Sequence, residues 1–393
     1  MKYVLIVPDG MADHPLPALD GRTPMMAAPT PHLDALARDG LIGRVRTIPP
    51  GMPPGSDVAA LSIMGYDPAT DYTGRAPLEA ASMGVELAAT DVAFRCNLIT
   101  TDGERIVDYS GGEVTSEEGA ALIALVAEKL GTPSLRFYPG VSYRNLLVWQ
   151  HGSVDVRTTP PHDVMGQPIA AHLPDGDGDT RLRGLIWDAY ALLNDHPINR
   201  RRRDAGKNPA NMLWPWGQGY APRLRAFALA HGVMGTVISA VDLIRGIARL
   251  AGLRAPLVPG ATGRLDTNWR GKADAARRAL EASDFVMVHV EAPDECGHHG
   301  DLDGKLRAIA LTDREIIGPV WEAARAGGPA RILVLPDHFT PLAVRTHVGD
   351  PVPFVLCGAG VRPDRADRLD EAIARESPVM IEEGHTLIAR LMA

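Results

Sequence analysis

The chain has 393 residues, 45% of them hydrophobic, and a formal net charge of −8 with no long basic tract at either end. That length suggests roughly two domains, the apolar fraction supports a sizeable core, and the acidic balance excludes a general nucleic-acid binder. The three cysteines, Cys96, Cys296 and Cys357, are scattered and form no CxxC pair, which argues against a disulfide framework or a thiolate zinc site.

In chain order, Tyr3–Val7 is a short buried-strand pattern that stops at Pro8-Asp9. It is too short for a signal-peptide core, and no later run approaches the roughly 18 apolar residues of a membrane span. A soluble cytoplasmic protein with no membrane partner is expected. Pro31–Asp39 has helical spacing and ends at Gly40; Asp57–Met64 is a short helix ending at Gly65. Strand-like pieces follow at Phe94–Thr100, Ile106–Tyr109 and Tyr143–Gln150, around an amphipathic helix over Ser116–Leu130 that opens on Ser-Glu-Glu and closes at Gly131. Asp175, Asp177 and Asp179 alternate as in a calcium loop, but Thr180 and Ile186 stand where an EF-hand needs Gly and Glu, so a solvated loop is expected. Helix Ala273–Glu281 precedes strand Phe285–Val290, and Ile332–Leu335 and Phe354–Cys357 are further short strands. Alternation at both ends predicts an α/β core with a mostly parallel sheet, formed by residues 1–91 and 181–393. Residues 92–180 read as an inserted α+β domain.

Charged groups recur beside the strands. Asp9 follows the first strand, Asp294 and His298 follow Phe285–Val290 in "EAPDECGHHGD", Asp337 and His338 follow Ile332–Leu335, and His347 shortly precedes Phe354. Asp294 and His298 are four apart, so on a helix both side chains face one way and His299 faces elsewhere. Carboxyl ends of strands line the binding crevice of open α/β sheets, so these groups are expected to converge. Three aspartates and three histidines suffice for two divalent ions, and oxygen and nitrogen donors suit manganese, zinc or magnesium. For any single aspartate, turn formation explains the residue as well. Ser56 follows a Pro/Gly-rich loop and precedes a helix. It is either a helix cap or a nucleophile at an anion-stabilising helix start.

Taken in order, "VPDG", "PPGSDVAALSIMGYDP", "FYPGVSY", "TTPPHD", "AGKNPANMLWPWGQG", "EAPDECGHHGD", "PDHFTP" and "HVGDPVP" resemble the archaeal-type cofactor-independent phosphoglycerate mutases of the alkaline phosphatase superfamily. The resemblance spans nearly the whole chain. It implies an alkaline phosphatase-like core with an inserted lid and substrate domain. It also implies two divalent cations, one held by Asp9, Ser56, Asp337 and His338 and the other by Asp294, His298 and His347, with Ser56 as the transient phosphoserine. The implied reaction interconverts 3-phosphoglycerate and 2-phosphoglycerate, in glycolysis or gluconeogenesis, without 2,3-bisphosphoglycerate. Phe339 departs from the pattern, which more often has serine there.

Such a substrate needs cations. Arg200, Arg201, Arg202 and Arg203 with Lys207 form a basic run whose guanidinium forks match carboxylate and phosphate. Arg144, His162, Asp163 and Lys272 are further candidates, His162 as proton shuttle or as loop residue. The same metals and serine would also serve a phosphomonoester or phosphonate hydrolase, and a kinase role is a further alternative, since some relatives have been suggested to serve amino-acid biosynthesis. "GRLDTNWRGKA" lacks Walker A spacing.

Overall fold

The computed structural model describes all 393 residues, Met1–Ala393. The chain forms two compact units, Met1–Tyr72 with Arg223–Ala393, and Thr73–Pro222.

The first unit is built on a seven-stranded sheet in the order Gly235–Ile238, Phe285–Val290, Lys2–Pro8, Ala330–Val334, Val352–Gly358, Gly40–Val45, Met380–Ile381. Pairing is parallel except on both sides of Val352–Gly358. Consecutive residues Val4, Leu5 and Ile6 are all fully buried, as are Phe285, Val286, Met287 and Val288. Alternate side chains point to opposite faces, so the sheet is covered on both, as parallel strands require. Helices Pro31–Asp39, Asp242–Leu250, Trp269–Ala282 and Gly318–Ala326 pack on it. The expected strands and helices of this unit are all present.

The single reversed strand has a consequence for the site. Chain leaving the carboxyl end of Ala330–Val334 returns directly as Val352–Gly358. The start of a reversed strand lies at the same sheet edge as the ends of its parallel neighbours. Residues just before Val352 therefore reach the edge that residues just after Pro8, Val290 and Val334 reach.

The second unit is wider than the 92–180 expected from sequence. Its sheet is antiparallel, in the order Ile106–Asp108, Asp91–Thr101, Arg144–Gln150, Leu135–Tyr138, with Met212–Tyr220 on the other side of Asp91–Thr101. That last pairing carries the boundary past 180: Asn97 pairs with Trp214 and Val92 with Tyr220. Helices Ser116–Leu130 and Asp179–Leu193 share one core, Leu122, Ile123 and Val126 meeting Leu182, Leu185 and Ala189 over Phe94 and Leu147. The near boundary also moves, because Ala76 and Ala80 of helix Arg75–Ser82 pack on Ala93, Leu146 and Val148. Asp175 lies in a two-residue strand and Asp179 opens a helix. Cys96, Cys296 and Cys357 are free and buried, and no helix is long and apolar enough to cross a membrane.

One buried ion pair ties the first unit together. Lys305, fully buried, donates from Nζ to Asp13 Oδ2 at 2.8 Å and to the Thr340 carbonyl at 2.8 Å. Asp13 Oδ2 also accepts the Leu342 amide at 3.1 Å. The loop after Lys2–Pro8 and the loop after Ala330–Val334 are thus held to one ammonium. Lys305→Met would leave Asp13 buried without its cation, and a loss of about 3–5 kcal/mol is expected in urea denaturation. Removing both charges, in Lys305→Met with Asp13→Leu, is expected to cost less than the single change.

Candidate metal and phosphoryl-transfer site

At the edge described above, six of the expected residues meet. Asp9 follows Lys2–Pro8, and its Oδ1 lies 3.5 Å from His338 Nε2. Asp337 Oδ2 is 3.3 Å from the same nitrogen. Asp294 and His298 lie one turn apart on helix Ala292–His299, with Oδ2 and Nε2 3.2 Å apart. His347 Nε2 is 3.4 Å from Asp294 Oδ1 and 2.9 Å from His298 Nε2. His299 points away, toward the carbonyl and carboxylate of Glu295. The close approach has a backbone cause. Gly10 takes φ +58°, and a Cβ there would lie 2.5 Å from Asp294 Oδ1, so only glycine lets the first loop pass.

Ser56 is the first residue of helix Ser56–Ile63, and Gly55, not Ser56, is the capping residue. Its hydroxyl instead lies 3.1 Å from His338 Nε2. Of the two readings of Ser56, the helix cap is excluded. The helix start adds free N–H groups that favour an anion.

Outer contacts set which imidazole nitrogens face inward. His298 Nδ1 lies 3.1 Å from the Arg345 carbonyl, which can only accept, so Nδ1 keeps its proton and Nε2, turned to Asp294, is the nitrogen that can exchange its proton for a cation. Thr340 Oγ1 donates to Asp294 Oδ1 at 2.5 Å and sits 3.2 Å from His338 Nδ1. Its remaining lone pair accepts the His338 Nδ1 proton, which bares Nε2. Asp337 Oδ1 accepts the amides of Gly10 and His338, at 3.0 and 2.9 Å.

The charges are poorly matched within the protein alone. Burial and the neighbouring carboxylates of Asp337, Asp294 and Glu291 push Asp9 well above the usual carboxylate range. Burial also pushes Asp294 up, but hydrogen bonds from His298 and His347 outweigh it and hold that carboxyl well below the usual range. Burial acts the same way on Asp337, where the imidazoles of His338 and His289 win and lower it. Burial lowers His338. The Asp294 hydrogen bond raises His298 to about 9.

Asp9 Oδ1, Asp337 Oδ2 and His289 Nε2 are buried with no hydrogen-bond partner. Orphaned acceptors of this kind cost about 1–3 kcal/mol each when nothing compensates. A group of bare oxygens and nitrogens pointing at one another fits divalent cations, and the oxygen and nitrogen donors suit manganese, zinc or magnesium. Three sets of donors lie close enough to share an ion: Asp294 with His298 and His347, Asp9 with Asp294 and His338, and Asp9 with His289 and Asp337.

His289 is the residue that sequence reasoning missed. It sits inside strand Phe285–Val290, within an otherwise apolar run. Its one signal is that run: a lone imidazole between valines in a doubly covered strand needs a partner. Thr340, which holds Asp294 and His338, was also invisible because its role depends on tertiary contact. Lys272 is in this unit, buried, with Nζ donating to the Thr262 carbonyl at 3.2 Å. Burial pushes its pKa down to about 8, against the opposing pull of Glu291. Phe339 is 5% exposed and packs near His14, ring centroids 5.6 Å apart.

The second unit holds the other candidates. Arg202 is not poised for a ligand. Its Nη1 meets Glu118 Oε2 at 2.6 Å, while Nε and Nη2 donate to the carbonyls of Asn208, Gly111 and Gly112. Arg203 is bonded to Asn194, and Arg200, Arg201 and Lys207 are exposed on or beside helix Pro197–Asp204. The run is split by helical geometry, which turns one arginine of the four inward. His162 and Arg144 keep different company. The His162 ring lies edge-on to Trp216 at 5.3 Å and Tyr109 at 6.0 Å, with Asp163 at 3.7 Å. Arg95 stacks over the same Trp216 at 4.2 Å and pairs with Glu79 at 2.9 Å. Burial lowers His162, Asp163 opposes that, and Arg95 and Arg75 lower it further. Arg144 lies over the Tyr143 ring at 5.0 Å.

A sequence profile described as 2,3-bisphosphoglycerate-independent phosphoglycerate mutase matches residues 37–199. A protein of that name from Methanothrix thermoacetophila is 51% identical over 394 residues, covering all of both chains. The chain belongs to the 2,3-bisphosphoglycerate-independent phosphoglycerate mutase family. Two solved structures are similar over the full length of this family member. One is a protein from Pyrococcus horikoshii, with 32% identity and a TM-score of 0.84, covering 98% of that chain. The other is a cofactor-independent phosphoglycerate mutase from Thermoplasma acidophilum, with 28% identity and a TM-score of 0.67, covering 99% of that chain.

Two outcomes follow from this geometry. In chelator, the His298–Asp294 pair stabilises the folded state fully below about pH 6.5 and ceases to as pH rises through about 9, because the folded pKa is the raised one. The melting-temperature advantage of wild type over His298→Gln is therefore expected to shrink across that window. Arg202→Ala is expected to lower stability in urea denaturation, whereas Arg200→Ala and Arg201→Ala leave it within about 0.5 kcal/mol of wild type.

Proposed function

We propose that this protein interconverts 3-phosphoglycerate and 2-phosphoglycerate, without added 2,3-bisphosphoglycerate, through a phosphoserine at Ser56. The observation that carries this is the position of Ser56 Oγ, 3.1 Å from His338 Nε2 at a helix start, beside the cluster of three aspartates, in a chain of this family. Asp9, Ser56, Asp337 and His338 would hold one divalent cation and Asp294, His298 and His347 the other. Bound there, the cations supply charge neutralisation for phosphoryl oxygens and lower the pKa of the serine hydroxyl.

The chain's own groups do the rest. Ser56 Oγ forms a bond to phosphorus as the bond from phosphorus to the substrate's 3-oxygen breaks, and the proton given up by Ser56 ends on that departing 3-oxygen. The free N–H groups at the start of helix Ser56–Ile63 would donate to the phosphoryl oxygens as charge gathers on them. The glycerate keeps its place and turns. Its 2-hydroxyl oxygen then attacks phosphorus, the bond to Ser56 breaks, and the proton lost by the 2-hydroxyl returns to Ser56 Oγ, which regenerates the serine. No diffusible phosphate donor is consumed, because the enzyme carries the group covalently. Arg144 and His162, with Arg95 and Arg75 beside them, are the second unit's candidates for recognising the substrate's anionic groups, since guanidinium and imidazole donors match carboxylate and phosphate. Arg200, Arg201 and Lys207 are exposed alternatives for that task.

The test is an enolase-coupled assay run beside a free-phosphate assay, with 3-phosphoglycerate and each of manganese, zinc and magnesium. Phosphoenolpyruvate is expected with little phosphate, and chelator is expected to abolish it. Ser56→Ala is expected to keep the fold and lose at least about a thousandfold in turnover, as for other nucleophile deletions. Dominant phosphate release would make the protein a hydrolase instead.

A further inference from the structure

The proposed cation ligands leave one buried nitrogen unaccounted for. His289 is 1% exposed, in the strand adjacent to Lys2–Pro8. Its Nε2 lies 3.1 Å from Asp9 Oδ2, the oxygen of that carboxylate that does not face His338. Yet Nε2 has no hydrogen-bond partner, so a proton on it would not be aimed at Asp9 or at any other acceptor. Its other nitrogen, Nδ1, is 3.3 Å from Ser239 Oγ, which also accepts the Val241 amide at 3.0 Å.

A neutral imidazole carries one proton. Placed on Nδ1, it is donated to Ser239 and Nε2 is bare. Placed on Nε2, it is buried and unsatisfied, at a desolvation cost. The first tautomer is favoured, and it sets a bare lone pair beside the carboxylates of Asp9 and Asp337. Three electron-rich atoms then face one another with the protein supplying nothing positive between them. The three are close enough to share one ion.

We infer that His289 Nε2 is a ligand of the divalent cation held by Asp9 and Asp337. This adds a nitrogen donor to a site otherwise made of two carboxylates, Ser56 and His338. Ser239 is then a positioning residue, which fixes the tautomer as outer partners of metal-bound histidines generally do. The inference rests on the cluster being a cation site at all, and the test separates the two.

Protein labelled with nitrogen-15 at histidine is loaded with cadmium-113, and the imidazole nitrogens that show metal coupling are counted. His298, His338 and His347 alone give three coupled nitrogens per chain; with His289 there are four. Four is the expected result. Three would overturn the assignment of His289 while leaving the cation site intact, and none would remove both. His289→Gln is expected to abolish the fourth coupling and to weaken manganese binding in equilibrium dialysis, at one of two sites, by at least about tenfold. Unchanged manganese affinity in the folded variant would also overturn the inference. If the variant does not fold, the count in the wild-type protein still decides.

Discussion

Asp9, Asp294 and Asp337 are almost completely buried at one edge of one sheet, and that crowding governs the rest of the first unit. Three carboxylates cannot all ionise in a low-dielectric site without positive charge close by. The protein meets part of the demand with imidazoles, whose Nε2 atoms all turn inward. The remainder is what the proposed cations would supply. Everything around the cluster keeps the acids from relaxing apart. Gly10 permits the close approach, Thr340 ties Asp294 to His338, and Lys305 ties the two ligand-bearing loops together. Lys305 is itself a buried cation, but its charge is spent on Asp13, so it stiffens the frame without neutralising the site.

Much of this was legible because strand-end chemistry is local. An apolar run followed by Pro-Asp, or by Pro-Asp-His, announces both a buried strand and the side chain at its end, and those residues did converge. His347 was harder, since it precedes a strand. Its presence in the cluster depends on the reversal of Val352–Gly358, which no short-range pattern encodes. His289 was hidden for the opposite reason: it lies within an apolar run whose other members behave as a strand core should. The far domain limit was misplaced at 180 because the pairing of Met212–Tyr220 with Asp91–Thr101 joins segments more than 100 residues apart, and the near limit at 92 because helix Arg75–Ser82 packs on the same sheet. The arginine run shows how composition misleads. Four adjacent guanidinium groups on a helix point in different directions, and the one turned inward is consumed by a carboxylate and carbonyls.

The second unit carries a different kind of cluster. Arg95 over Trp216, with His162 against the same ring, is an arrangement in which a buried ion pair and aromatic faces hold donors in fixed orientations. Burial pulls Arg95 down to about 10, still far above neutral pH, so its charge is permanent. His162, by contrast, is shifted toward its neutral form by burial, which Asp163 opposes and the nearby guanidinium groups reinforce. A permanent cation beside a neutral imidazole gives one group suited to charge recognition and one suited to exchanging a proton.

The discontinuous first unit has a further consequence, for the order in which the molecule assembles. Strand Lys2–Pro8 is synthesised well before both of its sheet neighbours, Phe285–Val290 and Ala330–Val334. It must wait for nearly three hundred residues before either exists. The second unit, complete at Pro222, has all its strands well before then. Domains fold as units, and long-range pairing is slow because loop closure precedes its reward. The apolar first strand is therefore an unprotected edge for most of translation, and the inserted unit is the part of the nascent chain able to fold while it waits.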